Sequence, residues 1–554
     1  VAGESATEAD GAIANVSRFL DEQARDRPDR LALAAPRGRR RDGGIDYVDL
    51  DFAALAAERD AWAARLRAAG ARRGTRVLLM ARPGLPLIAL CFACFGLGAA
   101  PVAIDPGMGL RRFLACVRRS RPEVVAGIPL ALWASRVFRG AFGSVSGRVR
   151  LGRATERIAR PGAAPPLALE RAGRRDVAAI LFTSGSTGPA KGVVYEHGMF
   201  EAQVAAIRSL YAIEPGEIDF PMLPIFALFN PALGMATVVP EIDPSRPAAA
   251  DPARIVQAMR QRSVTNAFGS PVLWAKIADH CEAAGLKLPT LRRALMAGAS
   301  APPSLMRRCR DLIGGGRVHA PYGATEALPA TSIGDAEVLG RRAALSEAGR
   351  GSCVGRPAPG AEVRVVALVE GPLEAERLER PLAAGEVGEV VVAGPMVTRA
   401  YDGLPEETRL AKAADRSGRL WHRMGDLGCF DDEGYLWFCG RKAERVETAQ
   451  GVFYPDCVEG VFDRHPKARR TALIAWRAAD GTVEPAIVVE PAPGAWPAGR
   501  RAAEAFRASL RELGAACEVT RPIRRFFFRR SFPVDVRHNA KIHRLALARE
   551  LGEK

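Results

Sequence analysis

Apolar positions along the chain recur with two periods, and the elements they predict alternate. Residues 13–35 read as a helix followed by the strand LALAA, and Pro36–Gly44 as a charged hairpin-type turn. Ile45–Phe52 alternates as a strand does, and Phe52–Ala69 carries a long alanine-rich helical pattern. A short apolar strand at Val77–Met80, a buried helix at Leu85–Phe95 and a strand at Ala99–Ile104 follow, the last closed by the turn Asp105-Pro106-Gly107. Residues 153–176, rich in Arg, Ala and Pro, read as a surface connection. Val177–Phe182 is a buried strand, and the alternation continues to about residue 330. Strands and helices in this order predict parallel α/β layers. From about 352 to 443 short strands and glycine turns predict a β-rich layer, and beyond 444 helix and strand mix on a smaller scale. The expected division is a large N-terminal domain, 1–443, and a small α+β C-terminal domain, 444–554. No internal repeat is visible.

Length and composition narrow the class. A chain of 554 residues exceeds what one compact core uses. An apolar fraction of 48% with 25% charged residues excludes disorder as the default. The formal charge of +17 is scattered rather than gathered in a tail, and no nucleic-acid-binding module accompanies it, so no nucleic-acid partner is expected. Ten cysteines include one C-x-x-C, Cys91 and Cys94, inside an apolar run, which reads as buried free thiols rather than a metal site. The segment VAGESATEAD is acidic and lacks secretory features, and no run reaches the roughly 18 apolar residues of a spanning helix, so a cytoplasmic location is expected.

The candidate chemistry begins at Thr183–Gly192, TSGSTGPAKG, directly after a buried strand. Gly185, Gly188 and Gly192 let the backbone close around an anion. Thr183, Ser184, Ser186 and Thr187 add hydroxyl donors, and Lys191 a positive charge. Donors without bulk suit a polyphosphate. The P-loop pattern G-x-x-x-x-G-K-[ST] fails, because Lys191 lies three residues after Gly188 and precedes a glycine. A flexible linker would not carry so dense a polar set.

At this run the sequence resembles the acyl-adenylate-forming superfamily of acyl-CoA synthetases, luciferases and peptide-synthetase adenylation domains, and further motifs follow in the family's order. The resemblance implies ATP as substrate, Mg²⁺ as cofactor and a mobile C-terminal lid. In Tyr322-Gly323-Ala324-Thr325-Glu326 it implies that Tyr322 stacks on adenine, Thr325 binds the α-phosphate and Glu326 holds the metal; carboxylate oxygen suits a hard cation. Gly298-Ala299-Ser300 resembles the segment lining the adenine pocket. Asp426 and Arg441 resemble the ribose-binding pair. Lys541, in Asn539-Ala540-Lys541-Ile542-His543, resembles the catalytic lysine of the lid, and Glu444 occupies the hinge position.

Two departures refine the reading. Ala449-Gln450-Gly451 stands where acyl-CoA synthetases carry a Gly-Gly-Glu-type segment. The expected acyl pocket, Phe226–Met235 (FALFNPALGM), is long and apolar, and Phe226, Leu228, Phe229 and Phe268 are its candidate lining. With Phe268–Trp274 and Val534–Lys541 these segments resemble the β-lactone synthetases of bacterial long-chain olefin biosynthesis. That resemblance implies a long-chain 2-alkyl-3-hydroxy fatty acid, adenylated and then cyclised by its own hydroxyl. It also raises assembly with other enzymes of such a pathway. The alternative is a long-chain fatty acyl-CoA synthetase. His197 is a candidate base for the hydroxyl, with a structural role the favoured reading. Arg521–Arg530 (RPIRRFFFRR) suits a peripheral membrane contact or, more simply, a strand with a solvated arginine face.

Overall fold

The computed structural model describes residues 14–152, 158–159, 162, 164–183, 190–243, 249–534 and 542–552. Two large sheets dominate. The smaller runs Gly147–Arg150, Val124–Gly127, Arg76–Met80, Ala100–Ala103, Val177–Thr183, Lys191–Glu196 across its width. Its strands are parallel except for the last pair. The other has 14 strands. Its parallel part joins Leu31–Arg39, Ala236–Val238, Ile218–Pro221, Asn266–Gly269, Arg293–Met296 and Arg317–Ala324.

The expected β-rich region between 352 and 443 is present, and it is joined to the large sheet. Its strands extend the same sheet in antiparallel fashion, through Ala327–Gly334, Ser352–Pro357, Leu436–Arg441 and Leu420–Phe430. The sequence shows the change in spacing but not that an edge strand of one region pairs with the next. A smaller correction concerns Pro36–Arg39, which belong to the strand Leu31–Arg39 rather than to the turn. Cross-strand pairs Pro36–Tyr47 and Arg39–Ile45 hold them there.

Local chemistry explains the βα units. Asp251 caps the helix Pro252–Gln261 by accepting from Ala253 N–H at 3.0 Å, and Ser270 caps Pro271–Ala284. Gly285, in the left-handed region, ends the latter helix. Helix Leu85–Gly96 has no polar face. Ten of its twelve residues are buried, so it can only lie inside, where it packs in one core with the helix His197–Tyr211 and the turn Pro224–Phe229. Cys91 and Cys94 are free, buried thiols of this helix, and burial pushes Cys91 up to about 12.

After Glu444 come a hairpin, Val446–Thr448 with Gly451–Phe453, and a three-stranded sheet of Ala468–Arg477, Val483–Pro491 and Arg525–Phe528. One face packs Leu473 and Ile487 against Phe462, Phe506 and Leu510; the other packs Ala472 and Val488 against Phe532 and Leu547. The basic-aromatic run is the third strand of this sheet. Phe526 is buried in its core, while Arg525 and Arg529 pair outward with Glu484 and Glu550. This is the solvated-strand form. Among the described residues no helix is long and apolar enough to cross a membrane.

Candidate adenylation site

Thr183 and Lys191 face each other across an antiparallel pair, so the strands flanking the glycine-rich run pair with each other, whereas a P-loop leads from strand to helix. Ser184, Gly185, Ser186, Thr187 and Gly188 lie outside the described residues, as does Lys541, and of Thr183 only the backbone is described.

A second hairpin supplies the next group. Arg317–Ala324 and Ala327–Gly334 pair with a bulge near the tip, and Thr325 and Glu326 form the turn between them. Gly323 is needed here, because a Cβ would stand 2.6 Å from the Ala327 carbonyl oxygen. Three contacts hold the turn. Tyr195 Oη donates to the Thr325 carbonyl at 2.5 Å, Thr398 N–H donates to the Glu326 carbonyl at 2.9 Å, and Tyr401 Oη donates to Glu326 Oε1 at 2.8 Å. The Lys191 ammonium lies 4.9 Å from the centre of the Tyr401 ring. Tyr401 thus joins the lysine of the first hairpin to the carboxylate of the second.

The third group comes from Leu420–Phe430 and Leu436–Arg441, which set Asp426 directly opposite Arg441. Arg441 Nη1 donates to Asp426 Oδ1 at 2.6 Å and Tyr322 Oη to Oδ2 at 2.7 Å. Burial, reinforced by the Asp426 charge, pushes the Tyr322 phenol well above its usual range, so it stays a donor. The carboxylate keeps lone pairs for two more donors, such as vicinal hydroxyls.

Gly298, at φ +94°, opens the segment after the strand Arg293–Met296. Lys191, Gly298, Ala299, Ser300, Tyr322 and Gly323 line one continuous cavity of about 2260 Å³. Thr325, Glu326, Asp426, Arg441 and Glu444 line it too, as do Phe226, Leu228, Phe229 and Phe268. The cavity sits at the carboxyl ends of the parallel strands, where open α/β sheets bind ligands. Its far part is apolar: Phe226 stacks on Phe268 with centroids 3.9 Å apart.

Ion pairs tie the residues after 444 to this cavity. Arg544 Nη1 bonds Glu444 Oε2 at 2.8 Å, and its Nε bonds Glu459 Oε1 at 2.6 Å. Burial raises the Glu444 carboxyl, and the Arg544 charge opposes the shift. Ser300 Oγ lies 3.2 Å and Ser352 Oγ 2.8 Å from Asp456 Oδ1, on the helix Pro455–Phe462. Ser300 therefore joins the Gly298–Ser300 segment to the C-terminal part.

Burial, with Glu459 nearby, raises Asp456 to about 6. Its unfolded value is about 3.9. Folding thus favours the protonated form: the cost of ionisation is absent below about pH 4 and complete above about pH 6 to 7. Asp456→Asn, which keeps an acceptor for both serines, is expected to stabilise the protein at pH 7.5 by about 1–3 kcal/mol. The gain should vanish towards pH 4; thermal melts across this range measure it, and a loss of stability at pH 7.5 would contradict the assignment.

Sequence reasoning missed Tyr195, Tyr401, Asp456 and Arg544, because each matters through a partner more than 70 positions away. It also missed Lys412, buried with Thr398 Oγ1 at 3.1 Å, whose ammonium burial pulls down to about 7. His197 is no base for a bound hydroxyl. It is 1% exposed, its Nδ1 accepts from Val16 N–H at 3.2 Å, its ring meets Phe95 edge-on, and burial lowers it to about 4.

Comparison with known proteins gives the family. The chain is 44% identical over 551 residues to an olefin beta-lactone synthetase of Xanthomonas campestris pv. campestris, covering 97% of each chain. It is 43% identical over 552 residues to one of Stenotrophomonas maltophilia, covering 96% of this chain and 97% of that one. The structure of an amide bond synthetase from Marinactinospora thermotolerans superposes with a TM-score of 0.78 at 23% identity, over 97% of this chain and 100% of that one, and shows the shared fold. The family described as AMP-binding enzyme matches residues 20–402, more than half the chain. With hairpin-borne Lys191, Glu326 and Asp426 lining one cavity, and the family match over most of its length, the chain belongs to the AMP-binding enzymes, the ATP-using adenylate-forming family.

Proposed function

We propose that the chain is an ATP-dependent β-lactone synthetase that adenylates a long-chain 2-alkyl-3-hydroxy fatty acid and closes it to a four-membered lactone, within olefin biosynthesis. The observation that carries this is the near full-length similarity to two proteins of that name, in a chain whose candidate nucleotide site opens into an apolar cavity.

In the first step a carboxylate oxygen of the acid attacks the α-phosphorus of ATP and pyrophosphate leaves. Asp426 accepts from the ribose hydroxyls, with Arg441 and Tyr322 fixing its rotamer. Tyr322 and the Gly298–Ser300 segment bound the adenine. Thr325 and Lys191 meet the phosphates, and Lys541 brings a cation to the α-phosphate as charge builds. The Glu326 carboxylate fits Mg²⁺: it faces the cavity, and among the described residues Tyr401 is its one hydrogen-bond donor. Bound there, the metal would neutralise phosphate charge.

In the second step the hydroxyl oxygen on C3 attacks the acyl carbonyl, its proton is lost, and the acyl–phosphate bond breaks to release AMP. Nucleophile and electrophile sit on one molecule, so a cavity that fixes one conformer replaces a bimolecular encounter. We further propose that residues 1–443 hold the nucleotide while 444–554 act as a lid turning about Glu444. The pair Glu444–Arg544, three residues after Lys541, links hinge and lysine.

A 2-alkyl fatty acid lacking the 3-hydroxyl tests the assignment without CoA. The hydroxy acid should release AMP over many turnovers, while the deoxy acid should stop near one acyl-adenylate per enzyme. Equal turnover of both would contradict cyclisation.

A further inference from the structure

The cavity continues beyond the groups used above, along the helix Leu85–Gly96. Leu87, Ile88, Cys91 and Phe95 of that helix all line it. Their spacing puts them on one stripe, and from Leu87 to Phe95 the stripe runs about 12 Å at 1.5 Å per residue. Protein interiors rarely leave such a length of buried apolar surface facing open volume. Ala103 and Ala179 line the same cavity from the strands Ala100–Ala103 and Val177–Thr183. Larger side chains at these two positions would occupy the space.

A second apolar part lies on the other sheet. The two parts meet at the turn Pro224–Phe229, whose rings Phe226 and Phe229 lie 6.0 Å apart and stack on different partners. Phe226 stacks on Phe268 of the strand Asn266–Gly269, with centroids 3.9 Å apart. Phe229 stacks on Phe200 of the helix His197–Tyr211, with centroids 4.7 Å apart and planes 6° from parallel. Within this one apolar core, the cavity is lined at Phe268 by the large sheet, here termed the sheet arm, and at Leu87, Ile88, Cys91 and Phe95 by the buried helix, the helix arm.

We propose that the helix-lined arm is a second hydrocarbon subsite, so that the two chains of the acid, one on C2 and one on C3, lie in different arms. This rests on the β-lactone reading, in which adjacent carbons each carry a chain. A single-chain acid would fill one arm and leave the apolar surface of the other uncovered. Seating each chain separately would also fix the rotation about the C2–C3 bond, which decides whether the hydroxyl can reach the carbonyl.

Two isomeric acids of equal carbon number test this: one has a long chain on C2 and a methyl on C3, the other the reverse. The readout is the ratio of kcat/KM for the two isomers, from AMP release with ATP and Mg²⁺. Cys91→Trp fills the helix arm, and Phe268→Trp crowds the sheet arm. Each should move the ratio about tenfold or more, and in opposite directions. Ile88→Phe and Ala179→Leu narrow the helix arm less severely and should shift the ratio as Cys91→Trp does, which keeps the test available if tryptophan prevents folding. A shift in the same direction for both arms, or an unchanged ratio in folded variants of the helix arm, would overturn the proposal. Product identity is read separately: a thioester formed only with CoA would refute the β-lactone reading, while the isomer ratios would still report on the two arms.

Discussion

Lys541→Ala is expected to lower the rate of AMP formation by about 10²–10³-fold, while the folded protein still binds ATP. The size follows from where the charge appears. Attack on the α-phosphorus concentrates negative charge on phosphate oxygens, and a preorganised cation there stabilises the transition state more than the bound ground state. A factor of 10³ corresponds to about 4 kcal/mol of barrier. Val534 bridges Ile542 in antiparallel fashion, bringing together the ends of the segment that contains Lys541. Ile542, His543 and Arg544 line the cavity directly after it. Arg544 is held by Glu444 and Glu459, so the chain leaves position 541 from a fixed point. Single-turnover AMP formation, with ATP binding and melting temperature as controls, measures the effect. Activity within threefold of the unaltered protein would remove Lys541 from the proposed mechanism.

The second large effect is expected at Asp426. Replacing it by alanine removes the acceptor proposed for the ribose and strands two donors, Arg441 Nη1 and Tyr322 Oη. Asp426 is 4% exposed, so water cannot simply replace it. Arg441 is 44% exposed and can turn to water, but the buried Tyr322 hydroxyl loses its acceptor, and leaving a buried donor unpaired costs about 1–3 kcal/mol, more where a charge is involved. If about 3 kcal/mol of this falls on nucleotide binding, ATP affinity drops by about two orders of magnitude. Asp426→Asn keeps the shape and one acceptor, and should lose clearly less. Pyrophosphate exchange across ATP concentrations separates the two variants. A change in melting temperature with unaltered KM for ATP would make Asp426 structural.

Much of this site was legible in the sequence. The glycine-rich run, the Tyr322–Glu326 segment and the Asp426–Arg441 pair stand out because their residue types are dense in one stretch. The elements carrying them were legible for the same reason: the apolar run Leu85–Gly96 can only be a buried helix, and the strand Val177–Thr183 leads directly into the glycine-rich run. What stayed hidden was pairing over distance. Tyr401 bonds Glu326 across 75 positions and Tyr195 reaches Thr325 across 130. Neither tyrosine has a neighbour in sequence that marks it. The join between the parallel and antiparallel strands was hidden likewise, since strand order is a property of the folded sheet. So was the second apolar arm. The stripe on the Leu85–Gly96 helix reads as ordinary core until the cavity that it lines is seen.

The acceptor of the acyl group separates this account from an acyl-CoA ligase. By the resemblance, Ala449-Gln450-Gly451 replaces a Gly-Gly-Glu-type segment of the acyl-CoA synthetases, and no thiol is needed when the substrate supplies its own hydroxyl. The deciding measurement is the product formed from ATP, Mg²⁺ and a long-chain 2-alkyl-3-hydroxy fatty acid in the absence of CoA, read by NMR at room temperature so that a strained ring does not lose CO₂. The account predicts a β-lactone in amounts equal to the AMP released. No turnover until CoA is added, followed by a thioester, would contradict it.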